Sequence, residues 1–294
     1  MTGPDAPTDA DGETAAEYRY RLALVAGLTY EIIPMPSATD AMEALPPGAT
    51  VAITCSPTRG IRATVALTTL LRAAGHPVVP HLAARLVTGP EEVRQLAQWL
   101  RAEGIDRVFI VGGDGTEAVG PYPDAGSFMH ALLGADPGLR AIGFAAYPDG
   151  HPTIPTPALD AALLAKQQLL ADAGVAGYAV TQMCFDPETI DVWLQGRRRA
   201  GFGLGVHLGL AGVVDRSRLL TLGARFGVGQ SLSFLRKNRS AVSTLLTTSS
   251  YAPDSLLVPL SPILEVAGIT GVHCFTFNQV AATAAWQHGQ LETS

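Results

Sequence analysis

The stretch "RVFIVGGDGTEA", residues 107–118, is an apolar run that breaks abruptly into Gly-Gly-Asp-Gly-Thr. Glycines at such a break let a ligand approach the backbone closely. Two architectures use that freedom: a phosphate-cradling turn that leads straight into a helix, or the end of a barrel strand followed by a ligand-binding loop. The next residues, "EAVGPYPDAG" at 117–126, contain two prolines and two glycines. A loop of this kind suits the barrel better than a helix N-terminus does.

Working outward, the same rhythm recurs. Short apolar runs that suit buried parallel strands occur at 28–33 "LTYEII", 50–54 "TVAIT", 77–82 "PVVPHL", 141–147 "AIGFAAY", 177–184 "GYAVTQMC", 203–210 "GLGVHLGL" and 271–277 "GVHCFTF". Between them lie segments with helical spacing, such as "ATVALTTLLRAAG", "EEVRQLAQWLRAEG" and "AALLAKQQLLADAG". Several end in glycine, where a left-handed residue stops a helix. With the run at 107–112, eight strands alternate with helices over most of 294 residues. That count predicts a (β/α)8 TIM barrel in one domain. "AAEYRYRLALVAG" predicts an extra helix before the first strand, and "ARFGVGQSLSFLRKN", residues 224–238, predicts extra helices between the seventh and eighth strands.

Residues 1–15 are small, acidic and proline-rich and read as a disordered tail, leaving residues 16–294 for the barrel. Net charge is −6, and much of it lies in that tail at Asp5, Asp9, Asp11 and Glu13. No Lys/Arg stripe points to nucleic acid, and no long uninterrupted apolar run points to a membrane. A cytoplasmic enzyme is the expectation. Cys55, Cys184 and Cys274 are too few and too far apart for a disulfide framework or a Cys-x-x-Cys metal pair. No metal site is expected.

In a barrel the chemistry sits at the C-terminal ends of the strands. The polar residues there are Glu31, His81, Asp114 after Gly112 and Gly113, then Tyr147, Asp149, His151, Gln182, His207 and Asn278. Each alone has an ordinary structural explanation, such as a salt-bridged glutamate or a satisfied core histidine. Nearly every strand ends in one, however, and a ring of buried polar groups without partners would cost about 1–3 kcal/mol apiece. The ring therefore points to a polar ligand. With no serine elbow and no activated cysteine, proton transfer is favoured over covalent catalysis.

The ordered segments "TYEIIP", "PHLAA", "VGGD", "AAYPDGHP", "AVTQMCFD" and "GVHCFTFN" together resemble the methylenetetrahydrofolate reductase family, over residues 29–278. The resemblance implies a barrel that interconverts 5,10-methylenetetrahydrofolate and 5-methyltetrahydrofolate by hydride transfer. Its donor would be NADH or NADPH, generally through bound FAD. It implies Glu31 as the general acid to N10, and Asp114 and Gln182 as catalytic pterin partners, with Asn278 also on the folate. Flavin contacts would fall at Thr64, His81, Gly113, Asp114, Ala146, Tyr147 and His151. A homo-oligomer is implied as well. The chain has Gly112 where relatives carry an arginine, and Lys166 is the basic residue left on the helix that would face the flavin pyrophosphate. The alternatives are a flavin-free barrel, a non-catalytic pterin- or flavin-binding barrel for another one-carbon carrier, and a GGDGT-type nucleotide kinase.

Overall fold

In the computed structural model, which describes residues 13–215 and 250–292, the apolar runs close into a ring of eight parallel strands. These are β1 (Thr29–Ile32), β2 (Thr50–Ile53), β3 (Val78–Ala83), β4 (Arg107–Val111), β5 (Ala141–Ala146), β6 (Ala176–Thr181), β7 (Gly205–Ala211) and β10 (Ile269–Phe275). Each pairs with the next, and β10 closes on β1 with Thr29 opposite His273 and Glu31 opposite Phe275. A small antiparallel ribbon, β8 (Val214–Asp215) with β9 (Ser250–Tyr251), lies between β7 and β10 in the chain. The chain is thus the (β/α)8 barrel that the strand count predicts.

The α-helices among the described residues are α1 (Ala15–Ala26), α2 (Ala38–Glu43), α3 (Gly60–Ala73), α4 (Pro90–Ala102), α5 (Ala125–Gly134), α6 (Thr156–Ala173), α7 (Pro187–Arg199), α8 (Asp254–Leu264) and α9 (Val280–Glu292). Their ends obey local chemistry. The Asp124 carboxylate accepts from Ser127 N to start α5, and that of Asp186 accepts from Glu188 N to start α7. Gly174, at φ 65°, stops α6 in the left-handed region. The stretch 224–238, expected to be helical, lies outside the described residues.

Residues 1–12 of the expected tail also lie outside the described residues, but Glu13 is part of the folded body. It is 4% exposed and accepts from Arg21 Nε at 2.9 Å and Nη2 at 2.8 Å. Ser261 of α8 donates to the same carboxylate, and Thr14 caps α1. Glu13 and Thr14, assigned to the expected tail, thus make contacts with the folded body.

Strand alternation sorts the barrel residues into two layers. Tyr30, Ile32, Val51, Ile53, Val78, Leu82, Val108, Ile110, Ile142 and Phe144 pack toward the helices in one large core. Ala52, Val79, Phe109 and Val180 form a separate inner cluster, with Val111, Ala145 and Tyr178 against it. Glycine makes room for the large inner side chains: a Cβ on Gly143 would meet Tyr178 Cζ at 2.5 Å and Phe109 Cδ2 at 2.8 Å. Among the described residues, no helix is long and apolar enough to cross a membrane.

Candidate functional site

Glu31 lies between the two outward residues of β1, Tyr30 and Ile32, and so faces the barrel interior. The Tyr30 hydroxyl reaches Gln287 of α9 on the helix side, whereas Glu31 Oε2 lies 3.0 Å from His273 Nε2 of β10. On β3 the same alternation turns His81 inward. Its ring tilts over Phe109 at 4.6 Å and stands 5.9 Å from that of His273. Glu31, His81 and His273 are all buried, and one potential ligand atom from each lies within 4.8 Å of the others. Burial, with the nearby His273, pushes the His81 pKa well below its ordinary value. Its Nε2 is buried without a hydrogen-bond partner. The sequence leads one to expect no metal; the fold instead brings together two imidazoles and a carboxylate, a set able to hold one.

Below this cluster the interior is filled. His207 stacks on Tyr178 at a centroid distance of 4.3 Å. Burial pushes its pKa down to about 4, with His273 and Arg107 contributing. A neutral, stacked imidazole of this kind is packing.

Above the cluster, at the C-terminal mouth, the "GGDGT" segment is a loop pinned by Arg85. The Arg85 guanidinium donates to Gly113 O at 3.2 Å, Gly115 O at 2.8 Å and Pro123 O at 2.8 Å. Gly113 takes φ 95°, and a Cβ there would meet Ala83 Cβ at 3.3 Å. Asp114 is thereby left exposed at the mouth. Its charge is felt across the opening: burial raises the Tyr147 pKa and Asp114 adds to the rise. Burial lowers that of His151, with Asp114 opposing and Arg85 assisting. The Tyr147 and His151 rings meet edge to face at 5.1 Å. Asp149 is held beside Cys184, whose Sγ lies 3.1 Å from Oδ1, and burial raises the Asp149 pKa.

Several expected site residues are engaged elsewhere. Asn278 clasps the backbone after β1: Oδ1 accepts from Ile33 N at 2.8 Å, and Nδ2 donates to Ile33 O and Ser37 Oγ, each at 3.0 Å. Gln182 turns its amide oxygen back onto Met183 N at 2.9 Å. Thr64 is fully buried and donates to Thr54 O at 2.9 Å. The Ala146 side chain lies in the helix-facing core. Lys166 packs over the Phe144 ring at 4.8 Å, and burial pushes its pKa down to about 8. Of the residues expected to hold FAD, Thr64, Ala146 and Lys166 are engaged in packing, His81 lies in the buried cluster, and Gly113, Asp114, Tyr147 and His151 lie at the mouth. Arg85 and His273 are site residues that the strand-end pattern does not reveal, although His273 sits in the run "GVHCFTF" with the alternation that turns it inward.

No family model matches the chain. A solved structure described as "a putative phosphonomutase from Burkholderia cenocepacia" aligns with 94% of this chain and 98% of its own, at 15% identity and a TM-score of 0.46. Likeness at that level concerns the barrel and transfers no activity. Neither comparison supports a folate-dependent, NAD(P)H-linked oxidoreductase, and that expectation is withdrawn. The closed barrel replaces the nucleotide-kinase alternative too, since "GGDGT" ends a barrel strand.

Proposed function

We propose that the chain is an enzyme acting on a small polar molecule at the C-terminal mouth of its barrel. Asp114, Tyr147 and His151 handle substrate and protons above a floor made by Glu31, His81 and His273. The observation that carries this reading is convergence: chemically active groups from β1, β3 and β10, and from the loops after β4 and β5, gather at the end of the barrel where such folds bind their substrates.

The chemistry of the rim favours proton transfer. The Tyr147 phenol, held neutral, donates a hydrogen bond; the exposed Asp114 carboxylate accepts one; and the His151 imidazole, its pKa lowered, accepts a proton as a base. Thiolate catalysis has little support, because burial raises the pKa of both Cys55 and Cys274. A substrate with hydroxyl or amino groups facing Asp114 suits this rim.

The test is turnover profiling by mass spectrometry. Purified full-length protein is incubated with a pool of small polar metabolites, beside Asp114→Asn and Tyr147→Phe. Compounds consumed by the wild type and spared by both variants support the reading. A wild type that changes nothing, or variants that match it, overturns it.

A further inference from the structure

Beneath the rim, Glu31, His81 and His273 are 8%, 6% and 4% exposed. They project from three strands of one closed sheet, where backbone hydrogen bonding leaves little freedom to rearrange. The pairing of Glu31 with His273 at 3.0 Å accounts for two members of the cluster. It does not account for the third. His81 places a buried Nε2 without a partner in the same space, and an orphaned buried nitrogen is costly unless something binds it.

A second buried atom without a partner is Thr54 Oγ1. Thr54 comes just after β2, two residues beyond Ala52, which is the cross-strand partner of Glu31. Alternation puts it on the inner face, one step closer to the mouth. The second orphan thus lies just past the strand between those of Glu31 and His81.

We infer that Glu31, His81 and His273 form a binding site for one divalent transition-metal ion of the Zn2+ or Fe2+ type. Two imidazole nitrogens and a carboxylate oxygen are the donors such ions take, whereas Mg2+ and Ca2+ take oxygen alone. Donor atoms on a tetrahedral ion stand about 3.3 Å apart at ordinary bond lengths. The Glu31–His273 pair, at 3.0 Å, is close to that spacing, and a spread of 4.8 Å asks for modest side-chain adjustments. Phe109, 4.6 Å from the His81 ring and 6.2 Å from that of His273, walls the site with apolar surface that strengthens ligation.

Three protein ligands leave a coordination position for water or a substrate oxygen, the pattern of a catalytic rather than a structural site. The Thr54 hydroxyl then has a partner to bond: the oxygen held there. This role for the open position rests on the mouth being an active site; ion binding itself does not.

The experiment uses full-length protein stripped with a chelator and dialysed against Zn2+ or Co2+. One ion per chain is expected, with visible Co2+ absorption and a rise in melting temperature. His81→Ala and Glu31→Gln should each weaken binding at least tenfold, whereas His288→Ala, on the surface of α9, should leave it unchanged. Should either triad variant fail to fold, X-ray absorption of the wild-type zinc form decides: two imidazoles with oxygen uphold the site, and a sulfur or all-oxygen shell overturns it. Wild-type protein that takes up less than about a tenth of an equivalent, or triad variants that bind as tightly as wild type, also overturn it. Turnover lost in Asp114→Asn despite absent metal binding would reject this site and keep the mouth reading; metal binding without turnover would do the reverse.

Discussion

His273 Nε2 lies 3.0 Å from Glu31 Oε2 although 242 residues separate them in the chain. Both are buried, so each is desolvated and each depends on the other. His273→Ala, which leaves the carboxylate without its donor, is expected to destabilise the protein by about 2–3 kcal/mol. Glu31→Gln keeps an acceptor and should cost less. Urea denaturation with a chelator present, so that no ion contributes, measures both; equal losses would contradict a directional hydrogen bond.

Asn278 satisfies both backbone groups of Ile33, one at 2.8 Å and one at 3.0 Å, just past the end of β1. Asn278→Ala is expected to cost about 1–3 kcal/mol. If the residue instead served mainly as a substrate contact, the unfolding midpoint would not move while turnover fell.

Gly143 leaves space that Tyr178 and Phe109 occupy inside the barrel. Gly143→Ala forces at least one ring out of place, and overpacking of this kind costs about 1–3 kcal/mol. Near-ultraviolet circular dichroism should change with the loss of stability, because the displaced rings are aromatic.

Lys166 gives a pH dependence whose sign is set by its burial. Its pKa falls from 10.5 to about 8 on folding. Between those values the unfolded chain holds the proton that the folded chain has lost, so this residue's contribution to stability rises with pH. The penalty is complete below about pH 8 and relieved toward pH 10.5, with an upper size on the order of 3 kcal/mol. Lys166→Met should therefore stabilise the protein at pH 7, and the gain should shrink by pH 10. Denaturant midpoints of the two proteins at both pH values provide the check.

The parts of the molecule legible in its sequence are those whose signal is local. Strand number and order are legible, because each strand is a short apolar run bounded by a loop. Glu31 stands out as an acid inside such a run, but its surroundings do not: Tyr30 and Ile32, its chain neighbours, face the helices, and its partners come from β3 and β10. His273 escapes a search of strand ends because it occupies an interior position of its strand. Alternation alone would place it inward. Asn278 reads as a ligand-binding residue at a strand end because the backbone it clasps is 245 residues away. Thr64 and Lys166 lie on helices, where spacing identifies a face but not the group it meets.

The join between β1 and β10 also bears on how the molecule is made. A ribosome releases β1 early, and its second edge has no native strand to pair with until β10 has been synthesised. Through that interval the nascent chain carries an open sheet whose free strand edges invite wrong pairing. Closure brings the Asn278 clasp and the Glu31–His273 contact into being together. Chains cut short before β10 should consequently associate through the open edge, even when every preceding βα unit is intact.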